Sequence, residues 1–165
     1  MEEIGENPWK AARISTVPLD FATTLVYKSS RTKGLYFKVA PSEDDVKDAL
    51  AVTGDANLAE GKVPLFYYED FKLDDSKSPL FFRRKELEQA WQKENPKQDY
   101  PKLMVTELFS VLGEMVKPGG DNDKDNDLRN LVLVSPKESK KKQQECIKKG
   151  GQEPAFVIGQ RIIVL

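Results

Sequence analysis

The chain contains no histidine and a single cysteine, Cys146. Those two shortages exclude much of protein chemistry at once. Ser-His-Asp and Cys-His nucleophilic sites, Cys/His zinc sites and paired-thiol redox motifs all need residues that are missing. A lone cysteine cannot close an intrachain disulfide, so it does not report the redox compartment. Its place among lysines marks it as a helix-surface or boundary residue. Charge of one sign is also lacking: 26 basic residues face 27 acidic ones, a formal net charge of −1. Such a molecule has no overall field to gather nucleic acid or an anionic membrane. No apolar run approaches the roughly 20 residues that cross a bilayer. The opening Met-Glu-Glu-Ile-Gly-Glu is acidic. It has neither the basic n-region and apolar core of a secretory signal nor the Arg- and Ser-rich character of a transit peptide, so a targeting segment is not expected in this chain.

What is present reads as a globular, soluble protein. Of 165 residues, 39% are hydrophobic and 32% charged, enough for one sizeable domain or two small repeats on a continuous core. Hydrophobic periodicity alternates between strand and helix. Short strands are predicted at 13–17, 33–40, 63–68, 71–73, 80–82, 103–105, 131–134 and 156–165, the last bending at Gly159. Helices are predicted from Pro18 to Lys28, from Ser42 through Leu50, from Arg83 to Glu94 and from Leu108 to Val116, with a lysine-rich helix over 137–149. Ser42 followed by Asp45 resembles a capping box. Leu87, Ala90 and Trp91 share one helix side. Leu108, Val111, Leu112, Met115 and Val116 fall at i, i+3, i+4, i+7 and i+8, and Pro118-Gly119-Gly120 should stop that helix. Residues 53–62 read as a polar linker, and 74–79 as the turn of a hairpin.

Two stretches look alike. Glu6-Asn7-Pro8, Val17 and Phe21 match Glu94-Asn95-Pro96, Val105 and Phe109 at one constant offset. An internal duplication would explain this, with residues 6–28 and 94–116 superposing as strand–helix pairs. The expected architecture is α/β of the α+β kind, a layered sheet and helices built from two related repeats. Residues 1–53 would be the remnant of an incomplete first repeat and 54–135 the second repeat. A lysine-rich segment and tail would occupy 136–165.

Candidate chemistry is sparse. Asp121, Asp123, Asp125 and Asp127 alternate with polar residues, as in a calcium loop. The EF-hand pattern needs Gly at its sixth position and Glu at its twelfth, where this chain has Asn126 and Val132. No metal site and no cofactor are expected. Lys137, Lys140, Lys141, Lys142, Lys148 and Lys149 read either as a solvated helix face or as a cationic module for nucleic acid or anionic lipid. The cluster has no interleaved aromatics on which bases would stack. Arg83-Arg84-Lys85 sits where a helix dipole disfavours cations. It reads either as an anion clamp or as plain solubility. No carboxylate pair is singled out for acid–base work, and the chain is not expected to be an enzyme.

The unusual feature is strands that are apolar on both sides. Val63, Leu65 and Tyr67 point one way and Pro64, Phe66 and Tyr68 the other, and Leu80-Phe81-Phe82 is a continuous apolar run. Such strands must be covered on both faces or leave one face as an adhesive surface. On the second alternative, Phe66, Tyr68, Phe81, Phe82 and Phe109 would line an apolar groove for polypeptide.

Several segments, in order, resemble a known family: Arg-Ile-Ser-Thr-Val-Pro-Leu-Asp-Phe at 13–21, Gly-Leu-Tyr-Phe-Lys-Val-Ala-Pro at 34–41, Asp-Val-Lys-Asp-Ala-Leu at 45–50, Lys-Val-Pro-Leu-Phe at 62–66 and Ser-Pro-Leu-Phe-Phe-Arg-Arg-Lys-Glu-Leu-Glu at 78–88. Together they are similar to the soluble twenty-two-kilodalton component of the translocon at the inner chloroplast envelope, with its cyanobacterial and algal relatives. The likeness runs over about residues 9–135; the segment after Pro136 departs from it. The resemblance implies two similar halves and no catalytic residues. It further implies a chaperone for preproteins in the envelope intermembrane space, or in the periplasm or lumen of a cyanobacterium. The implied partners are unfolded preproteins and other translocon subunits, with no nucleic acid and only peripheral membrane contact.

Overall fold

The computed structural model describes residues 17–29, 38–54, 58, 62–73, 76–115 and 130–148. The strands predicted at 13–17 and 156–165, the segment 6–16 on which the internal superposition turns, and the acidic loop 121–127 lie wholly or largely outside these residues.

Among the described residues, five helices and four strands follow one another as α1 (Leu19–Ser29), α2 (Glu43–Thr53), β1 (Pro64–Tyr67), β2 (Ser78–Phe81), α3 (Arg84–Glu94), β3 (Met104–Glu107), α4 (Leu108–Met115), β4 (Leu131–Val134) and α5 (Lys137–Lys148). The strands form one sheet in the order β3-β1-β2-β4. β1 is antiparallel to both neighbours, with Phe66 opposite Phe81 and Val105, whereas β4 runs parallel to β2 with Ser78 opposite Leu131. The mixed sheet with helices on its faces is the expected α+β layout.

Local chemistry sets the boundaries. Ser42 caps α2, its hydroxyl accepting the Asp45 N–H at 3.3 Å while donating to the Asp45 carboxylate at 2.6 Å. The other end closes at Gly54, whose φ of 63° lies in the left-handed region and whose N–H bonds to the Leu50 carbonyl. β3 passes directly into α4, and the Glu107 carboxylate accepts the Ser110 N–H at 2.8 Å to satisfy the first turn. The short strand expected at 71–73 is reduced to an isolated bridge between Leu73 and Lys77, and of the strand expected at 33–40 only 38–40 are among the described residues, where no strand is assigned.

The two-sided apolar pattern is resolved by two-sided cover. Phe66, Tyr68 and Phe81 face one way and join Ala49 of α2 and Leu87 and Trp91 of α3 in one core. Trp91 is packed edge-on against both Tyr68 and Phe71, with ring centroids 5.5 Å apart in each pair. Val63, Leu65 and Leu80 face the other way and pack with Leu108 and Val111 of α4, flanked by Leu19 of α1, Tyr67 and Phe82. Leu58, inside the stretch read as a polar linker, is buried in the first core.

Candidate functional site

The five residues expected to line an apolar groove do not share a surface. Phe66 is 0% exposed and Tyr68 and Phe81 are each 4% exposed, beneath α2 and α3. At these three positions the expected open groove is a closed core, because helices cover the face that their side chains occupy. Phe82 points to the opposite face and stays half-buried. Phe109 is half-buried on α4, outside both core clusters.

Phe82 does border an opening. An open cleft of about 590 Å³ lies between the N-terminal turn of α1 and the start of α5. Leu19 and Ala22 line it from α1, Phe82 from just past β2, Leu133 from β4, and Ser139, Lys140 and Gln143 from α5. Val17, Pro18 and Pro136 extend its apolar lining. Among the described residues lining it, Lys140 is the only charged one. An apolar trough with a polar margin suits an apolar side chain carried on a chain whose backbone stays near water. Its walls come from segments more than a hundred positions apart, so sequence reasoning had only Phe82 to find it by.

The wall formed by α5 is held from α3. The Glu86 carboxylate accepts the Lys137 backbone N–H at 2.9 Å, and the Lys137 ammonium donates to Gln89 at 2.7 Å. Arg83 completes the attachment. Its guanidinium donates to Ser42 and Asp45 at the start of α2 and to Glu138 of α5 at 3.3 Å. Arg84 pairs with Glu88 at 2.8 Å and approaches Asp48 at 3.9 Å. The hydrogen bond to Glu88 raises the Arg84 pKa further above its usual value. Both arginines of the Arg83-Arg84-Lys85 run, read either as an anion clamp or as plain solubility, therefore link helices within the chain. Of the lysine-rich segment, Lys140, Lys141 and Lys148 are exposed, and Lys142 is 3.5 Å from Glu145.

Among the described residues, no group of His, Cys, Asp or Glu is placed to hold a metal ion, and no helix is long and apolar enough to cross a membrane.

The architecture defines a class: a mixed four-stranded sheet, buried on both faces by helices, with an apolar cleft where α1 meets α5. Within that class the particular fold is Tic22-like. The Tic22 structure from Plasmodium falciparum matches with a TM-score of 0.58 at 18% identity, over 81% of this chain and 64% of that one. The structure of Anabaena Tic22, a protein of protein transport, matches with a TM-score of 0.54 at 20% identity, over 89% of this chain and 70% of that one. This chain thus spans just under two thirds of the length of the Plasmodium structure. No protein-family model and no curated protein matches the sequence.

Proposed function

We propose that this chain is a non-catalytic, chaperone-like binder of unfolded preproteins in protein import across the plastid envelope. Its place would be the intermembrane space, or the periplasm or lumen if the source is cyanobacterial. Other translocon subunits would be its further partners. The observation that carries this reading is the open apolar cleft bordered by Phe82, on a fold shared with Tic22 structures, one of them that of a protein of protein transport. Unfolded polypeptide offers apolar side chains together with unpaired backbone groups. A trough with an apolar floor and a hydroxyl, amide and ammonium margin answers both. Each apolar anchor contributes about 1.5–3 kcal/mol of transfer free energy, so a few anchors reach about micromolar affinity after the cost of ordering the client.

The test is suppression of aggregation of guanidine-denatured rhodanese on dilution, with the full chain and with the variant Phe82→Ser, Ala22→Gln. Protection should fall sharply in the variant while its melting temperature drops by only a few degrees. Unchanged protection by that variant would remove the cleft as the binding surface. If protection instead collapses when salt is raised, and the chain shifts anionic vesicles or oligonucleotides at low salt, the lysines of α5 are the active surface.

A further inference from the structure

Among the described residues the sheet has two edge strands, equally half-buried but different in charge. β3 carries Thr106 and Glu107, and the Glu107 carboxylate is anchored by the N–H groups of Val63 at 3.4 Å and Ser110 at 2.8 Å. β4 reads Leu131-Val132-Leu133-Val134, with no charge, no proline and all four residues only half-buried. Its inner side pairs with β2, and among the described residues no strand lies on its outer side. Alternate residues of a paired strand turn their N–H and C=O groups outward, so among the described residues this edge presents backbone donors and acceptors beside apolar side chains. Proteins usually blunt such an edge with charge, proline or a bulge, and an unblunted edge is a template for another strand.

The cleft lies against the same strand. Leu133 belongs both to β4 and to the cleft floor, and Ser135 and Pro136 continue from the strand end along its margin. Positive charge predominates there: Lys140 is in the described lining, on a helix where the five lysines Lys137, Lys140, Lys141, Lys142 and Lys148 outnumber Glu138 and Glu145.

From this juxtaposition we infer that β4 accepts an extended segment of another polypeptide as an added fifth strand, with alternate apolar side chains entering the cleft and an acidic residue meeting Lys140. This rests on the polypeptide-binding reading above and narrows its occupant to an alternating apolar segment followed by a carboxylate. The backbone pairing supplies affinity that does not depend on client sequence, and Lys140 sets register and polarity.

The test uses the full chain and four fluorescein-labelled hexapeptides. The first alternates Thr and Val and ends in Glu-Glu. The second ends in Lys-Lys instead. The third and fourth are the Glu-ended peptide N-methylated on the odd and on the even residues, respectively. By anisotropy at low salt the Glu-ended peptide should bind at least ten-fold more tightly than the Lys-ended one, and Lys140→Glu should reverse that order. One N-methylated set should abolish binding and the other should leave it intact, because only alternate N–H groups face the edge. If both N-methylated sets bind as the parent does, no strand is added and the inference fails. Equal affinity for the Glu- and Lys-ended peptides overturns the acidic preference. A concentration-dependent dimer in sedimentation that the peptides do not dissociate would assign the edge to a second copy and overturn the inference likewise. Protection of denatured rhodanese reports separately: if it persists while the peptides fail, the cleft still binds clients and only the edge inference falls.

Discussion

The carboxylate of Glu86 on α3 caps α5, accepting the Lys137 N–H at 2.9 Å across 51 positions of sequence. Helix caps are usually local; here one helix closes the first turn of another and so fixes the wall of the cleft. Glu86→Ala should lower stability by about 1 kcal/mol, within the usual range for a lost N-terminal cap. The diagnostic measurement is amide exchange. Protection over residues 137–141 should fall more than protection within α3, and Glu86→Gln, which keeps an acceptor oxygen, should recover most of it. Equal loss everywhere would mean that Glu86 serves global stability instead.

Arg83 joins α2 and α5 through Ser42, Asp45 and Glu138. Its side chain is about 30% exposed, and that of Asp45 12%, so solvent weakens the pair without screening it fully. Arg83→Ala should cost about 1–2 kcal/mol, including the partners left behind. A double-mutant cycle with Asp45→Ala should show coupling of about 1 kcal/mol. Strict additivity would show that the contact contributes nothing net.

Phe66 lies in β1 and Phe82 just past the end of β2, yet substitution of these two apolar residues should have different consequences. Phe66 is fully buried against α2 and α3, so Phe66→Ser should cost about 3–5 kcal/mol and unfold much of the population at 37 °C. Phe82, half-buried at the cleft, should cost less when changed to Ser and lose client protection instead. Thermal melts on the two single variants separate these outcomes, and a reversed order would exchange core and surface.

Tyr68 carries a pH dependence with a definite sign. Burial, then Glu88, then Tyr100 raise its phenol pKa above 10.0, against a smaller opposing effect of Arg84. Above about pH 10 the unfolded chain loses this proton while the folded one keeps it, so stability is full below that pH and falls as pH rises toward the native value. Urea titrations at pH 8 and pH 11 should show the midpoint falling, and Tyr68→Phe should remove part of that fall. An identical decline in the variant would assign it to other groups.

Strand and helix positions were largely legible because period-2 and period-3.6 patterns sit on either side of strong stop signals. The span from Leu131 to Val134, the start of α2 at its Ser42 cap and the stripe of Leu108 and Val111 were all visible in this way. Whether Phe66 and Phe81 lay in a core or a groove was not legible, since a strand does not say how many helices will cover it. A lone Leu58 among polar residues carries no periodicity, so its burial was invisible. The type of Arg83 was noticeable, but its partners Ser42, Asp45 and Glu138 lie 41, 38 and 55 positions away, and no local pattern announces them. The cleft was hidden for the same reason, being assembled from α1, the end of β2 and the start of α5.

The parallel pairing of β4 with β2 also dictates an order of events during folding. Leu131 sits opposite Ser78, and β3, the strand between them among the described residues, pairs with β1. The antiparallel contacts of β1 with β2 and β3 close shorter loops and can form while the rest of the chain is still being made. Until β4 emerges and docks, the outer side of β2 is the unpaired margin, with Leu80 and Phe81 on it. The newly made chain therefore passes through a stage in which it presents to its surroundings the same kind of surface, apolar side chains beside unpaired backbone, that it is proposed to recognise in others.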